Sequence, residues 1–337
     1  MDPKQNDLDR RIWEEELEPF VPECVFDVHT HVFRWEFDTN PPTGNPYLQM
    51  VRRKFPVVGS EELREADAVL LPGRRVRRLT FPFPFSPDCD FKGANAWAAM
   101  QASAEDTNAL MLVHPSMKPE EVDADVEQGR FLGFKPYRFY STTGDAVECR
   151  ITDFLPERLL EVADSRGLLV MLHLSKRAGV ADRENLVDLE RLSERFQNVK
   201  WILAHAARSY YPRPIREAAP VLRRLPQAWF DVSSVCDSDA VRALLDAVGI
   251  ERVMYGSDDL PVGAVRGKYV TFGHAWAFLG QENHSLNLDH CDGRMTFVRY
   301  EQLRAMVRAL APADESLRRV FHDNAAALVD AVRASRR

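Results

Sequence analysis

The sequence of 337 residues contains few cysteines, and none of them belongs to a paired motif. The five are scattered along the chain without a CxxC spacing, at Cys24, Cys89, Cys149, Cys236 and Cys291. An odd number of unpaired cysteines argues against a disulfide framework, and the missing CxxC pairs argue against a structural zinc held by cysteine. We therefore expect reduced thiols.

Long apolar runs and an excess of positive charge are also missing. No stretch approaches the ~20 consecutive apolar residues of a membrane-spanning helix, and the polar, acidic N-terminal stretch is unlike a secretory signal. Because the net charge is −7, the chain lacks the global positive field that attracts nucleic acid. We therefore predict a cytoplasmic protein whose partners include neither nucleic acid nor a membrane.

Apolar runs of strand length alternate with longer stretches of helical periodicity, which is typical of repeated βα units. Eight strands are predicted: Cys24–His31, Val76–Pro82, Ala109–His114, Gly133–Phe139, Leu168–His173, Val199–His205, Ala228–Ser233 and Arg252–Ser257. The length and the strand count favour an α/β fold of the TIM-type (β/α)8 barrel class. We predict an N-terminal segment over 1–23 and a single barrel over 24–337.

Helices are predicted between these strands and at the C-terminal end. They cover Ala94–Glu105, Glu120–Gln128, Pro156–Arg166, Arg183–Phe196, Ile215–Leu225, Ser238–Val248, Arg299–Ala311 and Glu315–Arg333. Two insertions, 32–75 after strand one and 261–296 after strand eight, exceed a minimal repeat. Loops that follow barrel strands lie at the active-site face, so the insertions are candidate lids or substrate walls. The alternative is oligomer contacts, and we expect a homodimer or a higher homo-oligomer.

The first strand carries the motif Asp27-Val28-His29-Thr30-His31. Residues two apart on a strand point to the same face, so His29 and His31 can converge on one metal ion. Paired histidines on a strand can also be core residues satisfied by hydrogen bonds. The motif alone therefore leaves both interpretations open.

Three later residues occupy equivalent positions in the predicted barrel. His173 and His205 end the fifth and sixth strands, and Asp258 follows the eighth. A carboxylate there could instead cap a helix or a turn. Together with the histidines it favours a site for zinc or a neighbouring first-row ion, which lowers the pKa of bound water toward ~7.

The order of these motifs resembles that of the amidohydrolase superfamily. The similarity covers the DxHxH motif, GFKPY around Lys135, LHLS at His173, LAHAA at His205, YGSD at Asp258 and the closing NAAAL helix. The branch that it resembles includes aminocarboxymuconate semialdehyde decarboxylase and related lactonases. The similarity extends from strand one to the C-terminal end of the chain.

The resemblance implies a role for each position. His29, His31 and His173 would be metal ligands, Asp258 a ligand or proton shuttle, and His205 the group that polarises or deprotonates metal-bound water. Asp27 would orient one of the strand-one histidines or cap the strand. The implied cofactor is one divalent metal ion, with Zn²⁺ as the first candidate and Mn²⁺, Fe²⁺ or Ni²⁺ as alternatives. A second metal bridged by a carbamylated lysine is disfavoured, because Pro136 and Arg138 flank Lys135.

Several side chains at or just past strand ends are candidates for binding an anionic small molecule. The basic candidates are Lys135, Arg138, Arg208 and Lys176, and the aromatic candidates are Tyr137, Tyr210 and Trp276. Arg208 ranks first among the basic residues because it lies three residues beyond His205. Solvent exposure and packing are the alternative roles.

Three functions fit this pattern. The first is hydrolysis of a lactone, ester or amide of a small carboxylate-bearing substrate by metal-activated water. The second is metal-dependent nonoxidative decarboxylation of an aromatic or unsaturated carboxylic acid. The third is a metal-binding barrel without turnover, which is disfavoured because gathering several buried imidazoles at one point is costly unless they bind something.

Overall fold

The chain forms a TIM-type barrel whose strands place the predicted site residues at one end. The structure is a computed structural model that describes residues 4–41, 44–102, 107–282, 284–310 and 314–336. Its strands are β1 Cys24–Arg34, β2 Val57–Val58, β3 Arg75–Pro82, β4 Thr107–Ala109, β5 Met111–Val113, β6 Gly133–Pro136, β7 Leu169–Leu172, β8 Lys200–Leu203, β9 Ala228–Asp231, β10 Val253–Met254, β11 Gly267–Phe272 and β12 Ala275–Gly280.

Parallel pairing joins β1, β3 and β4 into one run and β5 through β10 into another. β4 and β5 form one stave of the barrel that is interrupted at Leu110, whose backbone N–H donates to the Thr80 carbonyl. On the opposite side the Val28 N–H donates to the Tyr255 carbonyl, and the His31 N–H donates to the Asp259 carbonyl. These bonds bring β1 against the segment that follows β10 and close the barrel.

Side chains alternate between the barrel interior and the surrounding helices. In β7, Leu169 and Met171 belong to the interior cluster, whereas Val170 and Leu172 belong to the outer core. The C-terminal helix Asn324–Ser335 adds Leu328 and Val329 to the interior cluster and therefore covers one end of the barrel. The opposite end, where the strands finish, is left for the site.

Helices surround the barrel, and two of them lie in the first insertion. They span Asp7–Ile12, Pro46–Lys54, Ser60–Leu70, Phe91–Gln101, Pro119–Gln128, Ile151–Phe154, Glu157–Ser165, Arg183–Arg195, Pro212–Leu222, Ser238–Val248, Val298–Leu310, Asp314–Arg318 and Asn324–Ser335. Among the described residues, no helix is both long and apolar enough to cross a bilayer.

The predicted elements exist, but several of their boundaries differ. The fourth predicted strand ends at Pro136, because a 3₁₀ turn over Arg138–Tyr140 follows it. The last predicted helix is divided by a π-helical turn over Arg319–Asp323. The second insertion contains the hairpin β11–β12, which was not predicted. Two predicted helix ends, at Glu105 and Ala311, lie outside the described residues.

A buried ionic cluster holds the closure of the barrel in place. Arg299, on the helix Val298–Leu310, is fully buried and contacts the carboxylates of Asp259 and Asp67. Asp67 also pairs with Arg78 of β3. The cluster therefore joins the first insertion, β3 and the segment after β10.

We expect the substitution Arg299→Leu to lower the free energy of unfolding by about 3–5 kcal/mol, because it leaves the buried Asp259 carboxylate without its partner and leaves Asp67 with Arg78 alone. Urea denaturation followed by circular dichroism measures this change. Arg319→Leu is the control, since its pairing with Glu315 lies on the surface of the protein and contributes little. A loss below about 1 kcal/mol in Arg299→Leu would show that the cluster does not stabilise the fold.

Candidate metal centre and active site

A bulge in β1 directs His29 and His31 into the end of the barrel. From Asp27 to Thr30 the chain of β1 advances by three residues, whereas its partner β3 advances by only two, from Arg78 to Thr80. A bulge of this kind changes the direction in which the following side chains point. Val28 therefore stays in the interior cluster, while His29 and His31 line the cavity above it.

The two histidines meet Asp258, which the barrel closure brings beside them. Nε2 of His31 lies 3.2 Å from Oδ1 of Asp258, and Nε2 of His29 lies 3.5 Å from the same oxygen. Burial lowers the pKa of His29 to about 3, so its imidazole is neutral and keeps a lone pair. Two neutral imidazoles and a carboxylate form a donor set that suits a divalent metal ion.

Asp231, the last residue of β9, is a site residue that the sequence analysis missed. Its side chain is fully buried, and its Oδ2 lies 3.0 Å from Nδ1 of His29. An ionised carboxylate only accepts hydrogen bonds, so His29 carries its proton on Nδ1 and directs the Nε2 lone pair toward Asp258. The signal was available only in part, because Asp231 lies two residues before the end of the predicted strand Ala228–Ser233.

His205 is fixed in the same way by Ser233. Its Nδ1 lies 3.0 Å from the Ser233 carbonyl oxygen and 2.9 Å from the Ser233 hydroxyl. Because a carbonyl oxygen can only accept, Nδ1 of His205 donates its N–H to it, and Nε2 carries the lone pair. The Ser233 hydroxyl in turn donates to Asp231. One carboxylate therefore orients both His29 and, through Ser233, His205.

The backbone at His205 is held in an unusual conformation. The residues from His205 to Arg208 have φ values of 56°, 50°, 56° and 60°, and Asp258 has a φ of 60°. Left-handed backbone costs a non-glycine residue roughly 1–2 kcal/mol, so the surrounding structure must impose it. Gly179 leaves room for this turn, because a Cβ atom at 179 would lie 2.6 Å from the Arg208 carbonyl oxygen.

His173 lies beside this group rather than inside it. Among the described residues, ligand atoms lie within 4.8 Å of one another in two groups, His29–His31–Asp258 and His29–His205–Asp231. The His173 ring is 5.0 Å from that of His205, and burial lowers the pKa of His173 well below its usual value. His173 is therefore a neutral imidazole at the edge of the ligand group.

A cavity of about 930 Å³ opens above these residues. His29, His31, His173, His205 and Asp258 form its floor. Its walls are mainly aromatic, with side chains from the first insertion, from the segments after β3, β6 and β8, and from the hairpin β11–β12. The principal wall residues are Trp35, Phe83, Phe85, Tyr137, Phe139, Tyr210, Tyr269 and Phe278.

Of the aromatic residues predicted to bind substrate, Tyr137 and Tyr210 line the cavity. Trp276 packs behind Tyr210, with 4.3 Å between the ring centroids. It therefore supports the wall from outside rather than lining it.

The predicted basic residues do not line the cavity. The guanidinium groups of Arg138 and Arg208 donate to the backbone carbonyls of Ala146 and Lys176. Lys176 donates to the Glu148 carbonyl. These side chains donate to nearby backbone carbonyls instead of pointing into the cavity. Their position relative to a strand end does not reveal this.

Lys135 is buried beneath the cavity floor. Its Nζ atom lies 4.3 Å from the centroid of the Phe81 ring and has no hydrogen-bond partner. Burial lowers the pKa of Lys135 to about 7. The side chain is therefore a poorly solvated amine and not a surface ion-pair partner.

Comparison with known proteins identifies the family. The sequence profile of the family described as Amidohydrolase matches residues 26–331. The chain belongs to this family. It is therefore an enzyme of the amidohydrolase superfamily, and the resemblance found in the sequence is confirmed.

Solved structures similar to this amidohydrolase share its barrel. A 5-carboxyvanillate decarboxylase from Sphingomonas paucimobilis has 15% identity and a TM-score of 0.59, covering 92% of this chain and 99% of its own. A 5-carboxyvanillate decarboxylase from Novosphingobium aromaticivorans with bound manganese has 12% identity and a TM-score of 0.58, and the match covers 92% of this chain and 97% of that one. Amidohydrolase 2 from Bifidobacterium longum subsp. infantis has 14% identity and a TM-score of 0.56, and the match covers 92% of this chain and 99% of that one. No curated protein matches the sequence of the chain.

We expect Asp231→Asn to weaken metal binding by the amidohydrolase about 10- to 100-fold, because His29 loses the carboxylate that orients its ring. Competition with a chromogenic chelator measures the metal affinity. Asp246→Asn, at an exposed position on the helix Ser238–Val248, is the matched control. An unchanged affinity in Asp231→Asn would contradict the orienting role.

We expect Ala206→Gly to change the free energy of unfolding by less than about 0.5 kcal/mol, because relief of the left-handed backbone offsets the loss of a buried methyl group. Ala218→Gly is the matched control, since Ala218 is equally buried but lies in the helix Pro212–Leu222. It should lose about 1–2 kcal/mol. Equal losses in the two variants, measured by urea denaturation, would contradict this account of the turn.

Proposed function

We propose that this amidohydrolase is a metal-dependent nonoxidative decarboxylase of an aromatic or unsaturated carboxylic acid. The observation that carries the proposal is the combination of His205 with the cavity above it. Beside the ligand group, Nε2 of His205 can take up and release a proton, because Nδ1 makes the hydrogen bonds to Ser233. The walls above are aromatic. Such a site can hold a flat acid and transfer a proton to it. The decarboxylases among the structural neighbours support this choice.

The residues fit one divalent metal ion. His29, His31 and Asp258 would hold it, with His173 as a fourth ligand at the edge of the group. Zn²⁺ and Mn²⁺ both suit two or three imidazoles and a carboxylate. When bound, the ion supplies a positive charge that anchors the substrate carboxylate and disperses its charge.

The proton for the reaction comes from His205. His205 acts as the acid after its Nε2 lone pair has taken up a proton, so that the ring carries a proton on both nitrogens. As the bond between the carboxyl carbon and its neighbour breaks, that neighbouring carbon keeps the electron pair and takes the proton from Nε2, which regains its lone pair. Carbon dioxide leaves, and His205 regains a proton from solvent. Asp231 and Ser233 hold the imidazole in place during the transfer. The aromatic walls stack on the substrate and exclude water, which favours conversion of a carboxylate into neutral carbon dioxide.

Hydrolysis of a lactone, ester or amide is the second candidate. The lone pair on Nε2 of His205 could also accept a proton from an attacking water. The same imidazole could then pass this proton to the leaving group, so hydrolysis would use the same residues. We place hydrolysis second because the decarboxylases among the structural neighbours favour decarboxylation.

We expect His205→Asn to lower the rate of carbon dioxide release about 10²- to 10⁴-fold with no loss of bound metal, because it removes the proton donor. Chelation should abolish turnover, and added metal should restore it. Carbon dioxide release is measured over a panel of hydroxybenzoates and muconates, with lactones added to detect hydrolysis.

His114→Asn is the control, since His114 packs against Phe91 and Tyr140 and does not line the cavity. It should keep the activity. Turnover by metal-free protein, or full activity in His205→Asn, would reject the proposed chemistry. Lactone opening without carbon dioxide release from any acid would favour the hydrolase.

A further inference from the structure

An aromatic ladder leads away from the metal ligands along the end of β3 and the segment that follows it. The sequence Phe81-Pro82-Phe83-Pro84-Phe85-Ser86 alternates phenylalanine with proline. Phe81 lies 4.9 Å from the His31 ring and Phe83 lies 5.4 Å from it, whereas Phe85 lies 5.7 Å from Phe83. Phe83 and Phe85 line the cavity, so this wall extends from a ring beside His31 to a second ring beyond it.

The cavity is larger than a single-ring acid requires. About 150 Å³ is enough to bind benzene in an apolar cavity, and sites for drug-sized ligands reach about 1,000 Å³. The cavity here measures about 930 Å³. Another part of its wall is also several rings long, because Tyr210 stacks on Tyr269 at 4.8 Å and Tyr269 contacts Phe278 at 5.3 Å between ring centroids. The space suits a body of at least two rings.

The far end of the ladder finishes at a carboxylate. Asp38, from the first insertion, lines the same cavity and is only 8% exposed. Its Oδ1 atom accepts hydrogen bonds from the backbone N–H and the hydroxyl of Ser86, next to Phe85. An ionised carboxylate has room for further donors and repels another anion.

The cavity offers no side-chain cation to balance this charge. Asp38 and Asp258 both line it, whereas no lysine or arginine does so in the part of the chain that the structure describes. A substrate with one carboxylate can bind that group at the ligand floor. A second carboxylate at the far end would face Asp38 without a partner.

We propose that the substrate is a monocarboxylic acid with an apolar body of at least two rings and a neutral hydrogen-bond donor at its far end. Asp38 accepts that donor and excludes a distal carboxylate. The inference rests on the proposed function only for the position of the reacting carboxylate at the floor.

The test measures the binding of three acids to the metal-loaded protein by isothermal titration calorimetry. The acids are 4-hydroxybenzoate, 4′-hydroxybiphenyl-4-carboxylate and biphenyl-4,4′-dicarboxylate. We expect the hydroxybiphenyl acid to bind at least about 10-fold more tightly than the single-ring acid, because a second ring is buried. We expect it also to bind at least about 10-fold more tightly than the dicarboxylate, because of like-charge repulsion.

Two variants separate the effect of Asp38 from that of cavity shape. Asp38→Asn keeps an acceptor for Ser86 but removes the charge, so the preference for hydroxyl over carboxylate should fall to within about 3-fold. Asp88→Asn, an exposed position in the neighbouring loop, should keep the full preference. Equal binding of all three acids by the unmodified protein, or an unchanged preference in Asp38→Asn, would overturn the inference.

Carbon dioxide release from the same acids separates this inference from the proposed function. If the binding preferences hold and no acid is decarboxylated, the substrate class stands and decarboxylation is wrong. If single-ring acids release carbon dioxide and the binding preferences are absent, decarboxylation stands and the role of Asp38 is wrong.

Discussion

The site depends on the closure of the barrel between β1 and the segment after β10. The backbone N–H of Asp258 donates to the His29 carbonyl, and the Asp27 carboxylate accepts from the Ser257 N–H and hydroxyl. These bonds join the first and last staves of the barrel. They also place the Asp258 carboxylate against two imidazoles that lie more than 220 residues earlier in the chain. Fold closure and assembly of the ligand group therefore use the same hydrogen bonds.

The sequence predicts the barrel, and the meeting of most candidate site residues at one of its ends follows from the same regular geometry. Parallel strands of one barrel end at the same face, so the histidines and Asp258 that end them meet there. The family profile over 26–331 and the structural neighbours support the same architecture. The boundaries of short elements are harder to predict, because local turns such as Arg138–Tyr140 end a strand that the apolar pattern would continue.

Features that depend on irregular geometry could not be predicted in this way. The bulge in β1 and the left-handed turn at His205 have no marker in the sequence, since neither contains a glycine. The directions of Arg138 and Arg208 depend on nearby backbone carbonyls that only the folded chain presents. Asp231 differs from these, because it lies near the end of a predicted strand, but the predicted strand continued to Ser233 and so did not mark Asp231 as its last residue.

The left-handed turn also bears on how the site comes into being. A run of four non-glycine residues in this conformation has no local tendency to form, so neighbours that arrive from elsewhere must shape it. Those neighbours are Asp231 and Ser233 from the next stave and Gly179 from the preceding loop. We expect His205 to reach its place only after these parts have assembled. In a chain whose barrel is incomplete, the His205 imidazole would then not be held in its place beside the ligand group. The catalytic arrangement would therefore form only when folding of the barrel is complete.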